Sequence, residues 1–293
     1  MSQNKIKIAF FGTPDFSVKI LNSLKEANLT PDLIITNPDE PKGRKLILTP
    51  PPIKVWAEKN KIKYIQPNSL KIVPEELKSC FDLFIVAAYG KLIPQAVLDL
   101  PKHGTLNVHP SLLPKYRGAS PIQSAILNGD EETGTSIMLL DAGLDSGPVL
   151  AQEKLSLANW SPTFLELLDK LADISGKLLV KTIPKWLDGE IRAIDQNHTL
   201  ATFCKKIEKK FGFIPAEDIL SPDLPIEKVY EIERKIRALN PDPGTFTIIK
   251  SKGKETRVKI TKAKIADKKL IIEKVIPEGK KEMAWEDWKR GNL

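Results

Sequence analysis

Lys5–Phe16 reads KIKIAFFGTPDF, and Val18, Ile20, Leu21 and Leu24 follow at helical spacing. An unbroken apolar run is the pattern of a strand buried on both faces, as a parallel sheet requires. Gly12 ends the run. Thr13 stands where it can cap the helix, with Pro14 at the first helical position. Strand, glycine turn and helix together form the opening unit of a nucleotide-binding-type α/β fold. The turn lacks the GxGxxG spacing, so no dinucleotide pyrophosphate site is expected there.

Working outward, the same alternation continues. Asp32–Thr36, Lys63–Gln66, Phe81–Tyr89, Leu106–His109 and Gly134–Asp141 read as strands, with Val149–Leu155 as a return strand. Ile53–Lys59, Val73–Leu77 from Pro74, Leu92–Leu98 and a segment from Pro121 to Asn128 capped by Ser120 read as helices. Thr163–Lys185 is a long amphipathic helix. This order predicts a mostly parallel, Rossmann-like sheet with helices on both faces. Gly189–Asn197 is polar and reads as a linker. A helix at Ile226–Leu239 and strands at Gly244–Ile249, Thr256–Ile265 and Lys269–Val275 then predict a small β domain of barrel or sandwich type. The expected boundaries are a first domain over 1–189, a linker over 190–205 and a second domain over 206–293.

The 293 residues suffice for a substantial core. No apolar run approaches a membrane span, and MSQNKIKIAFFG has no secretory pattern. Cys80 and Cys204 form no redox or metal motif. A reduced, cytoplasmic setting and no membrane partner are expected. The net charge of +8 is lopsided: Ala201–Leu293 carries 22 Lys and Arg against 15 Asp and Glu. A basic appendage on a nearly neutral body suggests a polyanionic partner, against the plainer reading of a solvated lysine-rich surface. Asn37–Pro52 (NPDEPKGRKLILTPPP) is proline-rich and reads as a loop. Its Lys42, Arg44 and Lys45 are placed to reach a phosphate.

The chemistry centres on Gly104–Gly118, GTLNVHPSLLPKYRG. Residues i and i+2 of a strand share a face, so Asn107 and His109 point one way while Leu106 and Val108 point into the core. An amide can hold an oxyanion, an imidazole can move a proton near neutral pH, and Asp145 offers a carboxylate to orient that imidazole or take a proton from an amine. The trio suits transfer of an acyl group to an amine. There is no GxSxG nucleophile elbow, so direct transfer is expected rather than an acyl-enzyme. On residue types alone, a structural histidine and a turn-forming aspartate stand beside that reading. Three histidines without ligand spacing give no metal site.

Asn107–Pro114 (NVHPSLLP), Arg117-Gly118, Pro121–Gln123 (PIQ) and Asp141–Gly147 (DAGLDSG) together resemble the signature of the folate-dependent formyltransferases. The resemblance implies catalytic roles for Asn107, His109 and Asp145. It implies a folate pocket shaped by Ser111, Leu112, Leu113 and Pro114, with Tyr89, Gly90 and Asp141 beside it, and 10-formyltetrahydrofolate as co-substrate without a metal. Phe11–Phe16, the proline-rich loop, Ile236–Pro241 and Gly279–Met283 resemble the branch whose acceptor is the amino group of methionine esterified to initiator tRNA. That branch implies tRNA contacts from Lys42, Arg44 and a C-terminal β-barrel of OB-like type, in a protein expected to be monomeric. Departures from its pattern include Lys45-Leu46-Ile47 in the loop, Pro110 where a glycine is frequent, and Lys209–Asp218 (KKFGFIPAED), where a more acidic linker is usual. The rivals are a formyltransferase acting on a sugar nucleotide or glycinamide ribonucleotide, and a catalytically silent folate- or RNA-binding protein.

Overall fold

A computed structural model describes residues 6–43, 45–251 and 253–293. The chain forms two compact units that interleave in sequence. One comprises Met1–Gly118, Thr133–Leu155 and Leu168–Phe203; the other comprises Ala119–Glu132, Ser156–Leu167 and Cys204–Leu293.

The first unit is built on a seven-stranded sheet. Its early strands are β1 (Ile8–Gly12), β2 (Leu33–Ile35), β5 (Lys63–Ile65), β6 (Leu83–Ala87) and β7 (Thr105–His109). The short hairpin strands β3 (Glu40–Lys42) and β4 (Ile47–Thr49) intervene outside it, and the two-residue β8 (Arg117–Gly118) follows it. Strands β9 (Glu132–Leu139) and β10 (Val149–Ser156) complete the sheet in the order β10-β9-β7-β6-β1-β2-β5. β1 pairs in parallel with β2 and β6, β2 with β5 and β6 with β7, whereas β9 runs antiparallel to β7. Helices α1 (Asp15–Glu26), α2 (Pro52–Lys59) and α3 (Gln95–Leu98) connect the parallel strands.

Burial follows the pleat. Ile8, Phe10, Leu106 and Val108 belong to a core shared with Ile20, Leu24, Trp56 and Leu179. Phe11, Phe84, Val86 and Tyr89 belong to a second core with Ile35 and Val97. Each fully buried large apolar side chain contributes about 1.5–3 kcal/mol. The sheet is therefore covered on both faces, as the unbroken apolar strands required.

The sheet reverses direction of winding between β1 and β6, which is where open α/β sheets leave a crevice. Ser17 ties that point together: its fully buried hydroxyl donates to the Ala87 carbonyl at 2.6 Å and accepts from the Thr13 N–H at 3.2 Å. A Cβ on Gly12 would lie 2.7 Å from the Ser17 side chain and 2.9 Å from the Ala87 oxygen, so glycine is what allows this approach. Thr13 does not cap α1. Pro14 occupies the N-cap, and the Thr13 hydroxyl donates to the Tyr89 carbonyl at 3.1 Å. Ser120 likewise precedes α4 (Pro121–Asn128) without a side-chain cap, because its hydroxyl donates to the Lys205 carbonyl.

Residues 37–52 are not a featureless loop. β3 and β4 pair antiparallel, with Glu40 opposite Thr49 and Lys42 opposite Ile47, and Gly43 and Leu46 take positive φ at the turn. Gln66 and Lys54 clasp Asp39 at the base and hold its carboxyl below the usual carboxylate range.

Helix α5 (Phe164–Leu187) leads towards β11 (Phe203–Cys204), α6 (Ala216–Leu220) and α7 (Ile226–Leu239). In the second unit, β12 (Thr245–Ser251), β13 (Lys254–Ala266), β14 (Lys269–Pro277) and β15 (Met283–Ala284) form an antiparallel sheet in that order. A register shift between Ile260 and Ala263 bends the long β13. Ile232 and Ile236 of α7 pack with Ile249, Val258, Ile260 and Val275, joined by the stacked Trp285 and Trp288 of α8 (Trp285–Asn292).

Ser17→Ala is expected to lower unfolding free energy by about 1–3 kcal/mol, since it leaves a buried carbonyl and N–H short of a partner. Urea denaturation with an unchanged m-value checks this.

Candidate active site

The site is built on the last turn of pleat in β7. Asn107 sits opposite Val86 of β6, and His109 opposite Ser136 of β9. Leu106 and Val108 are consumed by one core, so Asn107 and His109 share the other face, the side of Val86 and Tyr89. Asn107 is 8% exposed and His109 4%.

Asp145 reaches them by an unexpected route. Because β9 runs antiparallel to β7, Leu139 at its end lies opposite Leu106 near the start of β7. The segment 141–147 therefore does not continue beyond the carboxyl ends of the parallel strands. It folds back across the face, where Asn107 Nδ2 donates to Asp145 Oδ1 at 3.3 Å and the Gly118 N–H donates to Oδ2 at 2.9 Å. Asp145 takes φ 47°, a left-handed conformation costing a non-glycine residue about 1–2 kcal/mol. These hydrogen bonds hold it there.

His109 is fixed from behind. Its Nε2 lies 2.9 Å from the Tyr116 carbonyl oxygen, which can only accept, so Nε2 carries a proton. Nδ1 is left facing Asp145 Oδ2 at 3.7 Å. A neutral ring presents a lone pair there, and a protonated ring an N–H beside a carboxylate. Asn107, His109 and Asp145 thus form one cluster.

Ser111–Pro114 is locked as a wall. The Ser111 hydroxyl donates to the Lys115 carbonyl at 2.6 Å, and Ser136 Oγ donates to the Ser111 carbonyl at 2.6 Å while accepting from the Leu113 N–H at 3.0 Å. Gln152 Nε2 donates to the Leu113 carbonyl and to Ser136 Oγ. The Leu113–Pro114 peptide is cis. A Cβ on Gly134 would lie 2.6 Å from Leu112 Cδ2 and 2.2 Å from the Glu153 carbonyl, so glycine there seats the wall.

The residues beside it divide by role. Tyr89 turns its ring into the core against Phe11, edge-on at 5.6 Å. Burial pushes its phenol up to about 12, and among the described residues its hydroxyl has no hydrogen-bond partner. Its carbonyl accepts from Thr13 and Asn37. Gly90 is exposed at φ 78° with open space around its Cα. Asp141 accepts from the Gly143 N–H and Ser146 Oγ, which orders the segment that carries Asp145. Lys42 lies in β3; its side chain and the whole of Arg44 fall outside the described residues.

Gln196 is the residue that sequence reasoning missed. It lies in the stretch read as a linker, yet it is 7% exposed. Its Nε2 donates to the Asp145 carbonyl at 2.9 Å and the Gly147 carbonyl at 2.7 Å, and its Oε1 accepts from Arg117 Nε and Nη2. Arg117, also buried, bonds His198 Nδ1 at 3.1 Å. One side chain thus fastens the Asp145 segment to the residue preceding Gly118, whose N–H holds Asp145. Nothing local marks Gln196, since its partners lie 49 to 79 residues away. Among the described residues no group of three or more His, Cys, Asp or Glu could hold a metal ion, and no helix is long and apolar enough to cross a membrane.

A strand-borne amide and imidazole facing a carboxylate on an α/β sheet are groups able to hold an oxyanion and move a proton. The formyl transferase family model matches residues 5–183, and the formyl transferase C-terminal domain model matches 227–270. The chain belongs to the formyl transferase family. It is 41% identical over 247 residues to the methionyl-tRNA formyltransferase of Halalkalibacterium halodurans, covering 83% of this chain and 74% of that one. It is 34% identical to that of Carboxydothermus hydrogenoformans, covering 98% and 96%. Among solved structures, the methionyl-tRNA formyltransferase from Clostridium thermocellum shares the fold, with TM-score 0.57, 21% identity and coverage of 93% and 98%. So does a sugar 3N-formyl transferase determined with dTDP and 5-N-formyl-THF, with TM-score 0.63, 21% identity and coverage of 90% and 88%.

Gln196→Leu should lower stability by about 1–3 kcal/mol through the carbonyls and guanidinium it leaves short of a partner. Catalytic turnover should fall by more than any KM for the acceptor rises, because the loss is of orientation. Steady-state kinetics beside a denaturant titration check both.

Proposed function

We propose that this enzyme transfers the formyl group of 10-formyltetrahydrofolate to the amino group of methionine on initiator tRNA, in support of translation initiation. The observation that carries the reading is the convergence of Asn107, His109 and Asp145 beside the fixed Ser111–Pro114 wall in a member of the formyl transferase family. The similarity to named methionyl-tRNA formyltransferases over most of their length supports the acceptor.

The folate co-substrate supplies an activated formyl carbon. The residues fit such a group: the open backbone at Gly90 admits close approach of a flat ring, and Ser111–Pro114 forms a rigid side to the pocket. Asn107 Nδ2 and a protonated His109 Nδ1 donate to the oxygen that becomes an oxyanion when the amine attacks. Asp145, beside both, takes the proton the amine sheds. His109 gives its proton to the departing folate nitrogen and is recharged from Asp145, so one proton moves from acceptor to leaving group. The unit that holds Asn107, His109, Asp145 and Gln196 performs this chemistry. The basic stretch over 206–293 holds tRNA phosphates, with Lys42 and Arg44 contributing. The site works in the cytoplasm in a monomeric protein without a metal.

The decisive assay offers 10-formyltetrahydrofolate with charged initiator tRNA, an amino-sugar nucleotide or glycinamide ribonucleotide. Formylation confined to the charged tRNA is expected; preference for either small amine overturns the reading. Asn107→Ala and Asp145→Asn should each reduce kcat on the order of 10²–10³-fold with the fold intact by circular dichroism. Affinity for tRNA should fall about tenfold or more between roughly 50 and 200 mM salt, as several released counterions require. Filter binding across that range measures it.

A further inference from the structure

The second unit carries an exposed cluster that neither the catalytic chemistry nor the overall charge explains. It comes from the departing stretch Lys209–Asp218 and its neighbours. Phe211 is 47% exposed and Phe213 40%. A large aromatic ring left that far in water loses much of the stabilisation that burial would give it. Here two stand two residues apart at a tight turn. Gly212 between them packs against the backbone of Gly244, where a Cβ would lie 2.0 Å from the carbonyl oxygen. That contact and the bridge from Phe213 to Phe246 pin the turn to the edge of β12. Phe213 and Phe246 sit with ring centroids 5.6 Å apart.

Cations cover these rings. The Arg257 guanidinium lies 3.7 Å from the Phe246 centroid, and Lys235 Nζ lies 4.8 Å from that of Phe211 while donating to the Phe213 carbonyl. Lys209 adds a further charge, whereas Lys210 is paired with Glu208. Among the described residues neither Arg257 nor Lys235 forms an ion pair. Asp218 and Glu231, whose charges act on Lys235, are engaged by Lys228.

We propose that Phe211, Phe213 and the Arg257–Phe246 stack form a platform for unpaired nucleotides of the RNA substrate, with Lys209 and Lys235 on the adjoining phosphates. This rests on the tRNA reading above and deepens it. Aromatic faces interleaved with unpaired cations match single-stranded nucleic acid, whose bases offer π-faces and whose backbone offers charge. Duplex RNA hides its base faces and would use only the cations. An acidic protein surface would likewise use the charges and leave the rings idle.

The test uses the full chain and a fluorescein-labelled single-stranded oligonucleotide of about a dozen nucleotides, compared by anisotropy with a duplex of the same length. The wild type should prefer the single strand. The double variant Phe211→Leu/Phe213→Leu keeps apolar bulk at half-exposed positions, and its melting temperature checks its fold. It should lose on the order of tenfold in single-strand affinity with the duplex affinity and salt slope unchanged. Lys209→Gln should flatten the single-strand salt slope by about 0.7. Equal wild-type affinity for strand and duplex, or a double variant that binds the strand like the wild type, overturns the platform. Charged-tRNA formylation measured on the wild type separates the two claims. Absent formylation with intact strand discrimination defeats the substrate reading alone, and normal formylation without discrimination defeats the platform alone.

Discussion

The site depends on holding one carboxylate in a backbone conformation that its residue does not favour. Asp145 sits at positive φ, and three partners from separate parts of the chain fix it: the Asn107 amide, the Gly118 N–H and, through its carbonyl, Gln196. Without them the segment could relax, and His109 Nδ1 would face water instead of a charge. The strain is small beside the combined hydrogen bonds, two of them to a carboxylate, where a hydrogen bond contributes about 1.5–3 kcal/mol. In the proposed mechanism this pre-set arrangement needs little reorganisation when negative charge develops.

Supporting parts are arranged in layers around that carboxylate. Tyr116 determines which nitrogen of His109 is free. Ser136 and Gln152, both on the strands beyond β7, hold the Ser111–Pro114 segment by its backbone rather than by its side chains. Arg117 is held by Gln196 and His198. The sheet itself contributes rigidity: β7 is an interior strand, with Asn107 paired on both sides and His109 paired with β9.

Much of this was legible in the residues. The unbroken run before Gly12 and the repeated strand–helix alternation are strong local signals, and the period-two spacing of Asn107 and His109 set their common face before any coordinate was needed. What escaped has a shared physical character. Thr13 and Ser120 have the right residue type for capping, but tertiary acceptors at Tyr89 and Lys205 compete for their hydroxyls. The hairpin in 37–52 was hidden by prolines, which an isolated two-stranded ribbon tolerates because half its edges are free. The antiparallel sense of β9, and with it the path of Asp145, depends on pairing across the sheet, which no window of sequence contains. Gln196 looked like linker because its neighbours are polar and its partners are distant.

That last residue also bears on how the enzyme comes into being. Asn107, His109 and Asp145 all leave the ribosome before Gln196 does, and β1 to β10 can already pair by then. Yet Gln196, and the strand segment after it that receives Arg117 N–H at Thr202 and Tyr116 N–H at its hydroxyl, are the clasp. A nascent chain halted anywhere short of residue 196 would possess the sheet and every reacting group while lacking the fastening that aligns them. The fastening of this cluster is therefore the last of its parts to be synthesised.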